Sequence, residues 1–324
     1  MPDGRGRRVI GERWIEHSGD SLAELVDWLR QQTGDFPPSL AAAIEVPRGA
    51  VVETLLEHGF AVFSINPKQL DRFRDRYSPA GAKDDRRDAF VLDDSLRTDM
   101  HCFRAVRIDE PAMIRLRELS RLEDELSQEQ NRAINRLREQ FHRFFPQLLQ
   151  LSGCADEPWL WALFEAAPSP AKAARLSEAK IARILREHRI RRLDAAQVRA
   201  MLKTKPLTLA PGAADAAAEH ALLLLPRLRL LHRQRTDLAR RISALLEELA
   251  CAEEGQSEHR DAAILLSLPG LGRKVAATML SEASQAIAER DYHALRCYSG
   301  TAPVTQQSCQ GRSKTRPLGR SHHR

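Results

Sequence analysis

Three carboxylates in the first third of the chain have types and spacing that could do chemistry. Glu45 ends the apolar run Leu40 to Val46, where a charge is expensive unless it has a partner. Asp85 and Asp88 lie in the stretch A-K-D-D-R-R-D-A-F-V-L at the start of a helix, and their i,i+3 spacing puts both on one face. A strand-end glutamate and a helical aspartate pair could converge on Mg²⁺, and two such ions about 4 Å apart would serve phosphoryl transfer. Helix capping and dipole complementation is the competing reading for Asp84 and Asp85, and pattern alone favours it.

A second set of residues could grip a phosphate. Ser267-Leu-Pro-Gly-Leu-Gly272 followed by Arg273, Lys274 and an apolar stretch reads as helix, tight glycine turn, helix. In such a hairpin Gly270 and Gly272 let backbone amides approach a phosphate beside a helix N-terminus, and Arg273 and Lys274 add charge. Contacts of that kind position a backbone and carry no base specificity. An ordinary helix–turn–helix connection with a glycine cap would look the same. Beyond it, Arg312 to Arg324 holds five Lys/Arg, two His and no acid, which suits a disordered or phosphate-seeking tail that includes Arg312 and Lys314. Ser308 is one serine among many on composition alone.

The elements that must position these residues differ along the chain. Up to about Leu96 strand-like and helix-like runs alternate. Arg8 to Glu16, Leu40 to Val46 and Phe60 to Ile65 read as strands. Ser18 to Gln31 and Ala50 to His58 read as helices, the latter with Gly59 at a C-cap, and Pro67 opens another. That alternation predicts an α/β unit. After Pro111, apolar residues from Leu119 through Leu122, Leu126, Ile134, Leu137, Phe141, Phe144 and Leu148 to Leu151 follow a 3-4 seam that Gln130 interrupts. A second seam runs from Leu224 to Leu249 with Arg235 as its polar intruder. Each spans about four heptads, which predicts coiled-coil or helix-pair packing. The two helices either pack on each other within one chain or join subunits of a larger assembly. Between them Cys154 to Leu209 is helical in periodicity, with the basic run Lys180 to Arg192, whose ordinary reading is a solvated face.

Composition narrows the classes. The 324 residues are 43% hydrophobic and 29% charged, and Lys+Arg 50 against Asp+Glu 44 gives a formal charge of +6. That permits a polyanionic partner without requiring one. Aromatics at 5% argue against a base-stacking single-strand binder. The five scattered cysteines form no C-x-x-C pair, so neither a disulfide framework nor a structural zinc site is expected. No run approaches the roughly 20 apolar residues of a membrane span, and the N-terminus lacks the apolar core of a secretory signal. The expected compartment is the cytoplasm, with no membrane partner.

Four motifs taken together carry a family likeness: A-I-E-V-P-R-G at Ala43 to Gly49, G-A-K-D-D-R-R-D-A at Gly81 to Ala89, L-P-G-L-G at Leu268 to Gly272, and S-G-T-A-P-V-T-Q-Q-S at Ser299 to Ser308. In this order, with a long-helix region between the pairs, they resemble the transposases of the insertion sequence 110 family over nearly the whole chain. The resemblance implies a RuvC-like, RNase H-like α/β domain at 1–105, long coiled-coil helices at 111–151 and 220–250, a helical insertion at 152–210, and a mainly α C-terminal transposase domain with a helix-hairpin-helix at 261–324. It implies DNA as substrate, an element-encoded guide RNA, a homo-oligomer (dimer or tetramer) and Mg²⁺ held by acidic residues, here Glu45, Asp85 and Asp88. Ser308 matches the family's nucleophile, set against the acidic site of another subunit.

Three departures from the family pattern shape the expectation. The opening strand with the family's first catalytic aspartate has no counterpart: Asp3 lies in a Gly/Arg/Pro tail and Asp20 at a helix start. Cys309 stands where the family has glycine after the serine. Arg316 to Arg324 does not match the helix expected there. The sequence thus reads as a family member truncated at both ends, expected to bind nucleic acid with little strand exchange. The alternative to a recombinase is a non-catalytic nucleic-acid-binding remnant.

Overall fold

The short apolar runs of the first third form a small mixed sheet among capped helices, and the rest of the chain is helical. The computed structural model describes residues 11–33, 39–77, 85–107, 110–210, 212–251, 257–306 and 314–317, with the backbone alone at 33, 257–260, 304–306 and 314–317. The chain divides into two units, Met1–Glu110 and Pro111–Arg324.

In the first unit the described elements run α1 (Gly19–Thr33), β1 (Ala41–Ile44), α2 (Ala50–Glu57), β2 (Ala61–Ser64), α3 (Pro67–Asp75), α4 (Asp85–Thr98), a 3₁₀ turn and β3 (Arg104–Val106). The sheet order is β1-β2-β3. β1 runs parallel to β2 with Ala43 opposite Phe63, and β3 is antiparallel to β2 with Val106 opposite Val62. Gly59 stops α2 as its spacing predicts. It adopts φ +83°, its N–H donates to Leu56 O and the Phe60 N–H reaches back to Leu55 O, which satisfies two end carbonyls of the helix. Pro67 sits at the start of α3, where its missing N–H costs nothing, and the Asn66 side chain accepts from the Lys68 N–H at 3.0 Å. Val26, Val52, Leu55, Phe60 and Val62 make one apolar cluster under α1 and α2. Ile65, Leu70 and Val91 make a second under α3 and α4.

The strand expected over Arg8 to Glu16 does not form in its described part. Gly11–Glu16 has no regular structure, and Trp14 is 90% exposed. Side-chain ion pairs hold this segment in place of a backbone ladder: Arg13 to Glu24 at 2.6 Å and Glu12 to Arg86 at 2.5 Å. Among the described residues no strand precedes β1.

The second unit is built on two long helices, α5 (Pro111–Phe144) and, after the short helices α6 (Gln147–Leu151), α7 (Pro158–Ala166), α8 (Pro170–Ala173), α9 (Glu178–Glu187) and α10 (Ala195–Leu202), the helix α11 (Ala213–Cys251). It continues through α12 (Ser257–Ser267), α13 (Arg273–Ala288), α14 (Tyr292–Tyr298), β4 (Pro303–Gln306) and β5 (Lys314–Pro317). α5 and α11 pack on each other within the chain. They run antiparallel, since Glu129 meets Arg227 while the earlier Glu123 meets the later Arg235.

Two cores lie along this pair. One joins Ile134, Leu137, Phe141 and Phe144 to Ala221, Leu225 and Leu228 and the short helices, around Trp159, Trp161 and Phe164. The other joins Met113 and Leu116 to Leu238, Ile242, Leu245, Leu246 and Leu249, Ala276, Ala277 and Leu280.

The first seam differs from the expected one at both ends. Its last positions, Leu148 and Leu151, belong to α6, because Pro146 lacks an N–H and disfavours helical backbone at Phe145. Near the start Leu122 is exposed, while Ser120 and Glu123 are buried. The polar groups of α13 and α11 receive them: Ser120 Oγ lies 3.4 Å from Thr278 Oγ1, and Arg235 donates to Glu123.

Candidate functional site

β1 is an edge strand of four residues, only partly buried, so Glu45 just beyond it is less enclosed than a buried strand end would make it. Its side chain is 41% exposed. The partner a strand-end carboxylate calls for is Arg74, in the last turn of α3, whose Nη2 lies 4.0 Å from Glu45 Oε2.

The same guanidinium holds Asp88 bidentately. Nε donates to Oδ1 at 2.7 Å and Nη2 to Oδ2 at 2.9 Å, and Asp71 contacts its Nη1. Two of the three carboxylates singled out from sequence therefore converge on one nitrogen. Hydrogen bonding to Asp88, outweighing desolvation and joined by the charges of Asp88 and Asp71, pushes the Arg74 guanidinium above its ordinary range.

Asp85 opens α4 on the exposed side, in the first turn with Asp88, where both complement the helix dipole. Among the described residues no three His, Cys, Asp or Glu side chains gather closely enough to hold a metal ion. The donor chemistry nonetheless suits a hard cation, and Arg74 acts as a stand-in cation between Glu45 and Asp88. Sequence reasoning missed Arg74. Its signal was indirect: acids from separate elements need a shared counterion.

The glycine turn is present as a connection between α12 and α13, which pack on each other. Gly270 adopts φ +83°, in the left-handed region that favours glycine, and Gly272 caps α13 at φ −72°. A Cβ at Gly272 would meet nothing within 4 Å, so the fold itself makes no demand for glycine there. Arg273 and Lys274 are half-exposed and already paired. Arg273 meets Glu247 of α11, and Lys274 meets Glu123 of α5 and, at 3.3 Å, Asp124. A phosphate at the turn would compete with these carboxylates for both cations.

Glu123 is the most enclosed acid of this network, its side chain 8% exposed. Burial raises its carboxyl, but hydrogen bonds from Lys274 and Arg235, with their charges, hold it below the ordinary value. The basic run around α9 is partly neutralised, with Arg192 on Glu157 and Arg183 3.7 Å from Glu187.

Ser308 and Arg312 lie outside the described residues. Lys314 does not belong to a structureless tail: Lys314–Pro317 is β5, antiparallel to β4, with Lys314 opposite Gln306. The extended, alternating T-A-P-V-T-Q stretch supplies a partner strand that the charge pattern of the tail concealed.

Comparison with known proteins follows the order of these elements. Residues 2–146 match a transposase family model of the DEDD type for IS110 elements, and residues 262–324 match the model of the transposase IS116/IS110/IS902 family. The chain is 53% identical to y4uE, a candidate transposase of Sinorhizobium fredii, over 196 residues, which are 60% of this chain and 54% of that protein. It therefore spans about half the length of that relative. It is 30% identical to the candidate transposase of the IS117 mini-circle of Streptomyces coelicolor over 293 residues, 88% of this chain and 68% of the relative. An IS110-element protein of 43.6 kDa from the same organism is 26% identical over 314 residues, 94% of this chain and 72% of that protein. With both models matched in the order of the four motifs, and the IS117 relative matched over more than two thirds of its length, the chain belongs to the IS110 family of transposases.

Proposed function

We propose that this protein is a DNA transposase of a mobile insertion sequence, cutting and rejoining strands through Ser308 with Glu45, Asp85 and Asp88 as its acidic set. The observation that carries the reading is the convergence of Glu45, just beyond β1, and Asp88 of α4 on one cationic group. In this reading the first unit is a RuvC-like domain and the α12–α13 turn a helix-hairpin-helix that holds DNA backbone through Gly270, Gly272, Arg273 and Lys274, with Arg312 and Lys314 adding charge.

The Ser308 hydroxyl attacks phosphorus and displaces a deoxyribose oxygen. The bond is held as a phosphoserine ester until the hydroxyl of the exchanged strand attacks it and frees the serine. Glu45 and Asp88, with Asp85 as the third acid of the proposed set, would hold Mg²⁺, which when bound lowers the pKa of the attacking hydroxyl and offsets phosphate charge. The partners are DNA, an element-encoded guide RNA and further copies of the chain as a dimer or tetramer.

A second reading, a nucleic-acid binder without strand exchange, is favoured by two particulars. Cys309 places a β-carbon next to the serine where the family has glycine. Asp85 is not among the carboxylates that Arg74 pairs with, which are Glu45, Asp71 and Asp88.

The deciding experiment incubates the full chain with Mg²⁺, DNA carrying the element's ends and the transcript of its flanking region, and looks for a covalent protein–DNA adduct. An adduct lost in both Ser308→Ala and Asp88→Asn establishes the recombinase. Salt-sensitive binding with no adduct under any condition establishes the second reading.

A further inference from the structure

We propose that Arg74 is a tethered counterion of the acidic site, which a divalent cation must displace before it can bind. The inference rests on the metal reading proposed above and names the residue that sets the threshold for loading.

Arg74 spans the place where Glu45 and Asp88 come together. One nitrogen, Nη2, serves both carboxylates, and the fork of Nε and Nη2 takes both oxygens of Asp88. The side chain is 20% exposed and that of Asp88 18%, so solvent screens this pair less than an ordinary surface pair. A guanidinium stays protonated throughout the working pH range, so it cannot vacate the site by losing its proton as a lysine could. It has to move.

The fold supplies a place to move to. Asp71 lies one turn earlier on α3, exposed and already touching Nη1. Rotation about the long side chain can keep that contact while releasing Asp88 and Glu45. A cation and the guanidinium repel each other at this range, so occupancy by one disfavours the other. Once released, the planar fork suits the phosphate that the cation brings in. Without the arginine, Glu45 and Asp88 would lose the cation they share.

The test is a titration of the full chain with Mn²⁺, followed by electron paramagnetic resonance and by calorimetry, in wild type, Arg74→Gln, Arg74→Lys and Asp88→Asn. Removing a bidentate charge-assisted competitor should tighten Mn²⁺ binding by about tenfold or more in Arg74→Gln. Arg74→Lys keeps the charge, and with it the charge balance needed to fold, but cannot fork onto Asp88; it should shift affinity in the same direction by less. Asp88→Asn should abolish the site.

Equal or weaker binding in both Arg74 variants, with Asp88→Asn still losing the metal, would overturn the inference and leave the acidic site standing. If neither wild type nor the Arg74 variants bind Mn²⁺ in an Asp88-dependent way, the metal reading itself fails and the inference with it.

Discussion

Arg235 on α11 donates through Nη1 to Gln130 Oε1 on α5 at 2.8 Å, so the polar residues that interrupt the two apolar seams meet each other. The same guanidinium reaches Glu123 Oε1 through Nη2 at 2.7 Å. A polar layer thus separates the core around Trp159 and Phe164 from the core around Leu246 and Leu280. Only one alignment of α5 against α11 brings Arg235 level with both Gln130 and Glu123. A one-turn slip would bury an unpaired charge, so the layer specifies register as well as contributing contacts.

Breaking the layer one residue at a time should be costly, and removing it whole should not be. Arg235→Ala leaves Glu123 enclosed with Lys274 as its remaining partner and Gln130 short of a donor. A loss of about 1–3 kcal/mol is expected. Replacing Glu123, Gln130 and Arg235 together by Met or Leu should recover most of that loss, since buried ion pairs seldom beat apolar packing of like volume. Thermal unfolding of the single and triple variants checks this. A triple variant as unstable as Arg235→Ala would show that the layer does more than satisfy itself.

Acid should loosen the second unit through Glu123. Its carboxyl is held below the ordinary value of 4.5, so the stability it contributes is complete above that value. The contribution is lost as pH falls below 4.5 and through the depressed value, when the proton breaks the contacts to Arg235 and Lys274. Unfolding temperature followed from pH 7 downward should fall in wild type, and fall less steeply in Glu123→Gln, which has no proton to gain. Parallel curves for the two proteins would contradict this assignment.

The local punctuation of the fold was legible in the sequence. Gly59, Pro67 and the alternation around Ala43 and Phe63 define their elements through backbone rules that act over a few residues. Glu45 and Asp88 were legible as candidates, but not Arg74, because a shared counterion is chosen by tertiary proximity rather than spacing. The seam was misread near Leu122 for a related reason. Hydrophobicity favours Leu119, Leu122 and Leu126, while the structure buries Ser120 and Glu123 against polar partners on α13 and α11. Charge composition likewise suggested a tail around Lys314, where backbone pairing with β4 decides the outcome.

The two glycines of the α12–α13 turn should separate folding from binding. Gly270 holds φ +83°, and an L side chain there costs about 1–2 kcal/mol. Gly270→Ala should therefore lower the unfolding temperature. Gly272 has ordinary backbone angles and open space around its missing Cβ, and serine is a favoured helix N-cap. Gly272→Ser should keep or raise the unfolding temperature. If nucleic-acid backbone approaches this turn, the same variant should weaken DNA binding severalfold. Unchanged binding in Gly272→Ser would move the interface elsewhere.

Glu247 should act as a brake on the same surface. Its carboxylate holds the Arg273 guanidinium at the mouth of the turn, and both side chains are more than half exposed. The pair is therefore worth little to stability, and Glu247→Gln should leave the unfolding temperature nearly unchanged. It should instead free one cation for phosphate, without adding any group that reads a base. DNA affinity should rise for every sequence alike, with the salt dependence of binding steeper by about one unit of slope. Arg273→Gln should shift both quantities the other way, and the double variant should match Arg273→Gln alone, because the acid acts only through the arginine it holds. Binding isotherms at several salt concentrations read out all three. A double variant that retained the gain of Glu247→Gln would show that the carboxylate repels DNA directly, with Arg273 uninvolved.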